Sequence, residues 1–202
     1  MLHCCSIRYN KKRLQVKDQL LSGTIDYLLE FGLAGLSLRP LAKKLGTSDR
    51  MILYYFETKD ALIQEAVEKL ADQMILKIKQ RCLEYGIKSP ADFIECVWDA
   101  FVDPASRPIA MLFLEIDLLS LREAKTFGNT GKFLMEEWSQ LVSSNISPFV
   151  GSGKEVKQRI DGLSAELLGA IVHHLVSQGN SPKGTLKRVR ERANAMGVSS
   201  LR

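Results

Sequence analysis

The sequence predicts an all-α protein, and three observations predict it. Apolar residues recur three and four apart, as at Leu21, Ile25 and Leu28, which is the spacing of one helix face. No stretch alternates apolar and polar residues convincingly, as a half-buried strand does. The breaks between periodic segments carry glycine, proline and capping residues, the usual helix punctuation. The expected architecture is an N-terminal three-helix domain, residues 1–60, followed by a larger helical domain, residues 61–202.

Residues 1–10 have no clear packing partner and are expected to lack fixed structure. A first helix spans about residues 14–31 and ends at Gly32, as glycine does at a left-handed cap. Ser37 reads as the N-cap of a second helix, with Pro40 in its first turn where a missing N–H costs nothing. That helix buries Leu38, Leu41, Ala42 and Leu45 and breaks at Gly46. Ser48 caps a third helix over about residues 49–55. Thr58 and Asp60 open a long fourth helix reaching about Tyr85. Ser89-Pro90 starts a fifth, carrying Phe93, Ile94, Val97, Trp98 and Phe101. Pro104 and Pro108 bracket the start of the next, which runs to about Arg122. A loop is expected around residues 128–131. A helix with Phe133, Leu134, Trp138, Leu141 and Val142 then stops near Pro148. After Gly151-Ser152-Gly153 a helix extends over about residues 154–178. Ser181-Pro182 restarts a last basic helix ending near Met196.

Charge is unevenly spread. The net charge of +5 hides ten Lys/Arg against six Asp/Glu in residues 1–60, twelve against sixteen in 61–180, and six against one in 181–202. A basic head on an acidic body suits a polyanion partner; a solvated surface with chance clustering gives the same pattern. No apolar run reaches the ~18–20 residues of a membrane span, because Glu115 and Asp117 interrupt the longest one. The N-terminus lacks the apolar core of a secretory signal, so a cytoplasmic protein with no membrane partner is expected. Cys4, Cys5, Cys82 and Cys96 show no zinc or C-x-x-C spacing. All four read as reduced, with Cys82 and Cys96 as packing residues.

Residues 37–62 form the most specific stretch: a helix, a tight turn at Gly46, and a second short helix that is polar first and aromatic last. A helix-turn-helix places the start of its second helix in the major groove of DNA. With Ile52, Leu53 and Phe56 facing the core, Thr47, Ser48, Asp49, Arg50, Met51, Tyr54 and Tyr55 face DNA. Arg50 is the candidate for a base edge, since its planar fork matches guanine O6 and N7. Met51 can touch a thymine methyl. Asp49 caps the helix or orients Arg50. Tyr54 and Tyr55 offer hydroxyls to phosphates. Ser37, Arg39 and Lys59 sit at helix N-termini, where backbone N–H groups add to phosphate binding. Lys11, Lys12, Arg13 and Lys17 can reach a further phosphate or the minor groove. The same residues also fit a plain helical hairpin with Tyr54, Tyr55 and Phe56 as core.

Residues 20–62 resemble the N-terminal domain of TetR-family transcriptional regulators. The matching pieces are E-F-G-L at 30–33, S-L-R-P-L-A-K-K-L-G at 37–46, T-S-D-R-M-I-L-Y-Y-F at 47–56 and T-K-D-A-L-I at 58–63. Lys59 matches the family's lysine at the start of the fourth helix, and Thr24 its small residue in the first. Ile52-Leu53 replaces the family's usual Leu-Tyr pair, so one phosphate-contacting hydroxyl is missing at Leu53, and Tyr54 and Tyr55 carry the aromatics instead.

The resemblance implies that residues 61–202 are an effector-binding and dimerisation domain. I-D-G-L at 160–163 suits it. Candidates for the effector pocket are Phe93, Trp98, Phe101, Met111, Phe113, Glu115, Phe133 and Trp138, in a region that also holds Phe127; pockets of this kind are apolar with a few polar groups. Large apolar side chains also simply fill cores. Glu115 and Asp117 either orient a ligand, face solvent or pair with a cation. For the dimer, Ile160, Leu163, Leu167, Ile171 and His174 recur at three or four on one helix, and Leu186, Val189, Ala193 and Met196 on the next, enough for a four-helix interface. His173 and His174 point about 100° apart on a helix, so a shared metal is not expected. The basic run Lys183, Lys187, Arg188, Arg190 and Arg192 reads as a solvated face.

The expected function is a ligand-responsive repressor. It binds a pseudo-palindromic double-stranded DNA operator as a homodimer and is released by a small-molecule effector. An activator with the same DNA-binding domain is the alternative, with an all-α small-molecule-binding protein or enzyme behind it. No enzyme and no cofactor are expected, since the chain has no glycine-rich phosphate loop, no histidine-carboxylate-nucleophile set and no metal-ligand spacing.

Overall fold

The computed structural model describes the backbone of residues 2–180 and 184–198, and the side chains of residues 11–180 and 184–196. Among these residues there are nine α-helices, one short 3-10 turn and no strand. The helices are α1 (Leu2–Phe31), α2 (Leu38–Lys44), α3 (Asp49–Phe56), α4 (Lys59–Tyr85), α5 (Pro90–Val102), α6 (Arg107–Arg122), α7 (Ala124–Val150), α8 (Lys154–Val176) and α9 (Thr185–Val198), with the turn at Pro104–Ser106. Among the described residues no helix is long and apolar enough to cross a membrane. The expectations for the side chains of Cys4 and Cys5, the restart at Ser181-Pro182 and the Lys183 end of the basic run lie outside the described residues.

The chain forms two compact units. One comprises Met1–Leu70 and Leu112–Gly131, the other Ala71–Met111 and Lys132–Arg202. The division falls inside α4 rather than at its start, and the N-terminal unit takes in a later piece of α6 and α7.

In the N-terminal unit, α1 starts at Leu2, well before residue 14, because residues 2–22 contain neither glycine nor proline to stop it. Leu20, Leu21, Ile25 and Leu28 of α1 bury with Leu41 of α2, Ile52 and Phe56 of α3, and Leu62, Ile63, Ala66 and Val67 of α4. Each large side chain so buried contributes about 1.5–3 kcal/mol. The seven residues of α2 and eight of α3 depend on it, since isolated helices that short do not persist in water. The loop expected at residues 128–131 is instead part of α7. Phe127 and Thr130 are buried, and a Cβ on Gly131 would come 2.6 Å from Ser120 Cβ. This glycine serves the close approach of α7 to α6, not a turn. The helix also runs through Pro148 to Val150, although the proline has no N–H to give the carbonyl four residues back.

In the C-terminal unit, α5 packs on α8 and α9. Ser89 caps α5 by accepting the Asp92 N–H at 3.2 Å. Phe93, Ile94, Cys96 and Val97 are buried. Lys77 donates to Asp103 at 2.8 Å and to the buried Ser106 hydroxyl at 2.7 Å. The Lys77 bond holds the Asp103 carboxyl below the usual carboxylate range. Arg190 pairs with Glu95 at 3.0 Å and Arg192 with Glu166 at 3.1 Å, so those two members of the basic run have acidic partners.

The residues expected at a dimer interface are placed differently. Leu163, Leu167, Ile171, Val189 and Ala193 are buried within this one chain, where α5, α8 and α9 pack together. His174 sits edge-on to Trp98, ring centroids 5.0 Å apart, and Leu186 is half-buried. The periodicity there marks the inner faces of α8 and α9, with Leu163, Leu167, Ile171, Val189 and Ala193 consumed by packing within the chain.

Candidate nucleic-acid interface

The turn between α2 and α3 is built by backbone hydrogen bonds. Thr47 N–H donates to the Ala42 carbonyl at 2.9 Å and Gly46 N–H to Lys43 at 3.3 Å, the double closure of a Schellman motif. Gly46 takes φ +64°, a conformation that any side chain would strain. Ser48 then caps α3, its hydroxyl oxygen accepting the Met51 N–H at 3.2 Å. Ser37 occupies the cap position of α2 without a capping bond from its side chain. Its exposed hydroxyl is therefore not consumed by the helix.

With Ile52 and Phe56 buried, the other faces of α3 turn outward. Arg50 is exposed, and Met51, Leu53 and Tyr54 are 41%, 37% and 54% exposed. Leu53, a core residue by its hydropathy, instead lies beside Arg50 and Tyr54 on the open side. In an eight-residue helix the pair Ile52 and Phe56, four apart, already fills the inward stripe. Thr47 and Tyr55 are half-buried, and Ser48, Asp49 and Arg39 are exposed. The rings of Tyr54 and Tyr55 meet edge-on with centroids 5.1 Å apart.

Three cations from neighbouring helices complete the surroundings. The Arg13 guanidinium lies over the Tyr54 ring, 5.5 Å from its centroid, a contact that sequence spacing does not reveal. Lys17, expected to reach DNA, is instead engaged with Glu65 at 2.7 Å and lies over the Phe56 ring. Lys59 donates to the Leu36 carbonyl at 3.2 Å, bracing the chain just before α2. It remains exposed at the start of α4, with further ammonium protons available.

Residues 112–131 bring one unforeseen support. Glu115 accepts the N–H groups of Leu33 and Ala34 at 2.9 and 3.1 Å, so it is a fastening of the α1–α2 loop and not a pocket group. Asp117, half-buried, is pushed up to about 6 by burial. Of the other pocket candidates, Phe93 is fully buried, Met111 is 45% exposed, and Phe113 and Phe133 are half-buried. Phe101 and Trp138 meet edge-on at 5.8 Å, and Trp138 Nε1 donates to the Ser164 carbonyl at 3.3 Å. Among the described residues no group of three His, Cys, Asp or Glu could hold a metal ion.

Comparison with known proteins agrees with this geometry. Residues 20–66 match the family of bacterial regulatory proteins, tetR family. The HTH-type transcriptional regulator BetI 1 of Chromohalobacter salexigens is 28% identical over 87 residues. That match spans 43% of this chain and 43% of the relative's length. A transcriptional regulator of Rhodococcus sp. Rha1 superposes with a TM-score of 0.68 at 21% identity, covering 91% of this chain and 96% of that one. A TetR transcription regulator of Haloarcula marismortui does so with 0.65 at 17%, covering 91% and 96%. At these identities the structures establish the common fold, and the sequence match places the likeness in residues 20–66. Through residues 20–66 the chain is similar to the tetR family of bacterial regulatory proteins.

Proposed function

We propose that this regulator is a homodimeric repressor that binds a pseudo-palindromic operator and is released by a small-molecule effector. The observation that carries the reading is the outward face of α3. Arg50, Met51, Leu53 and Tyr54 project from a helix fixed by Ser48 at one end and by the buried Ile52 and Phe56 beneath. Arg50 reads a base edge, Met51 and Leu53 offer apolar contact to thymine methyls, and Tyr54 and Tyr55 contact phosphates. Ser37, Arg39, Thr47, Ser48 and Lys59 anchor the backbone on either side.

Dimerisation uses the face of α8 that α5 and α9 leave open. Ala165 and Gly169 are exposed there, with open space over Gly169 and Val176 beyond them. Small residues let a symmetry-related helix approach closely, and a two-fold interface makes the operator an inverted repeat. Half-sites about 34 Å apart, or a multiple of that, follow from two major-groove helices. The effector site lies in the C-terminal unit, around Trp98, Phe101 and Trp138 with His174 as a polar neighbour. An effector acts only through its affinity difference between the DNA-bound and released states. Helix α4, which begins three residues after α3 ends, is the lever.

The test is selection of bound sequences from a random duplex pool at moderate salt. An enriched inverted repeat supports the reading. Retention of DNA without any consensus overturns it.

A further inference from the structure

Helices α4 and α5 bring together two thiols that DNA binding does not use. Cys82 lies in the last turn of α4 and Cys96 in the middle of α5, and both are free. Their sulfurs are 2.9 Å apart. That is inside the ~3.5–4.0 Å optimum of ordinary non-bonded contact and about 0.9 Å beyond the ~2.05 Å of a disulfide bond. The two sulfurs differ in access. Cys82 is half-exposed, whereas Cys96 is buried behind it with its thiol 3.6 Å from the Ile78 carbonyl. One sulfur within reach of solvent, backed by a second at near-bonding distance, is the layout of an attacking and a resolving thiol.

We propose that Cys82 and Cys96 form a dithiol–disulfide site oxidised by hydroperoxides, and that the cross-link between α4 and α5 changes operator affinity. The second half rests on the DNA-binding reading above. In the first step the Cys82 sulfur attacks the peroxide oxygen and the O–O bond breaks. This leaves Cys82 as a sulfenic acid and releases an alcohol (or water, from hydrogen peroxide) that takes up the thiol proton. In the second step the Cys96 sulfur attacks the Cys82 sulfur and the S–O bond breaks. Water departs with the Cys96 proton, and the disulfide forms. Two thiols lose two electrons, and one hydroperoxide gains them. Burial pushes both thiols up, Cys96 strongly, so the step through Cys82 is slow at neutral pH and quickens as pH rises, since the thiolate is the nucleophile. A site of that kind ignores trace oxidant and answers sustained exposure.

The test treats the full-length folded protein with hydrogen peroxide at mildly alkaline pH and blocks remaining thiols. The intact mass and cross-linked peptides are then read while operator binding is followed in parallel. The expected result is two blocking groups on the oxidised protein against four on the reduced one, with the mass of two hydrogen atoms lost from the unblocked pair, and a Cys82–Cys96 peptide; dithiothreitol before blocking reverses both. Operator affinity should shift about tenfold in the wild type and not in Cys82→Ser, whose half-exposed position keeps the fold intact. Oxidation that leaves the two sulfurs unlinked overturns the site, as does a disulfide confined to Cys4 or Cys5. A Cys82–Cys96 cross-link with unchanged operator affinity overturns the regulatory half. The mass readout needs no DNA. Absence of the cross-link in a protein that binds its operator therefore counts against this inference alone, and failure of the reduced protein to select any operator counts against the repressor reading.

Discussion

Glu115 accepts the backbone N–H of Leu33 at 2.9 Å. Its second carboxylate oxygen takes the N–H of Ala34 at 3.1 Å, so one side chain of α6 satisfies two donors just beyond the end of α1. Gly32 N–H still closes on the Leu28 carbonyl of α1 at 2.8 Å, and the next two N–H groups turn to this carboxylate instead. The fastening sets the path of the chain from α1 into α2, and Lys59 holds the same loop from the other end through the Leu36 carbonyl. The helix-turn-helix is thus positioned by two side chains remote in sequence as well as by its own core.

Glu115→Ala should lower stability by about 2 kcal/mol, the scale of losing a charge-assisted bond and leaving a partly buried donor unmet. Glu115→Gln keeps one acceptor oxygen and should lose about half as much. Urea unfolding of the three proteins measures both. Equal stability of wild type and Glu115→Ala would show that water replaces the carboxylate at no cost.

At the other end of α3, Glu57 adopts φ 63° and ψ −51°, and Thr58 N–H donates to the Phe56 carbonyl at 2.7 Å. This is a γ-turn of the rare positive-φ kind, held by a residue with a Cβ. Such strain costs about 1–3 kcal/mol, against about 0.5–1 kcal/mol for the added freedom of a glycine. Glu57→Gly should therefore stabilise the protein by about 1 kcal/mol, seen as a higher urea midpoint. A lower midpoint would mean that the turn is unstrained.

The parts of this fold that local chemistry determines were legible in the sequence. Gly46 and Ser48 announce the turn and the start of α3 through their own backbone and hydroxyl, and Gly32 ends α1 where expected. What the sequence concealed depends on neighbours distant along the chain. Gly131 looks like a helix breaker until Ser120 is seen against it. Leu163, Leu167 and Ile171 look like an interface stripe until α5 and α9 cover them. Leu53 reads as core by hydropathy, yet Ile52 and Phe56 leave it no room inside. Glu115, Arg13 and the Cys82–Cys96 pair carry no local signal, because their partners are set by helix docking.

Asp117 gives the chain a pH dependence of definite sign. Its folded pKa, raised by burial to about 6, lies above the ~3.9 of an unfolded aspartate. Between those values the folded chain holds more protons than the unfolded one, so stability falls as pH rises through that window. Above it the ionised carboxylate is a constant cost. Two pKa units correspond to about 3 kcal/mol, and partial exposure of the group reduces this to about 1 kcal/mol. Asp117→Asn should thus be more stable by about 1 kcal/mol near pH 7.5, with the advantage vanishing near pH 4. An advantage that is the same at both pH values would remove ionisation as its cause.

Substitution of Arg50 and of Lys59 tests the proposed division between base reading and backbone anchoring. Arg50 is exposed on the outward face of α3, and a bidentate contact to guanine discriminates between bases. Arg50→Ala should cost about 1–3 kcal/mol of operator binding and relax preference at one position in each half-site. Lys59 already donates to Leu36, so its remaining protons are what a phosphate can use. Lys59→Ala should weaken specific and non-specific duplexes alike and reduce the dependence of log Kobs on log salt by about one phosphate contact per subunit. Titrations at several salt concentrations distinguish the two effects. If Lys59→Ala leaves the salt slope unchanged while lowering thermal stability, Lys59 acts only by bracing the loop before α2. Phosphate anchoring at this edge would then fall to the hydroxyls of Ser37, Tyr54 and Tyr55 and to Arg39.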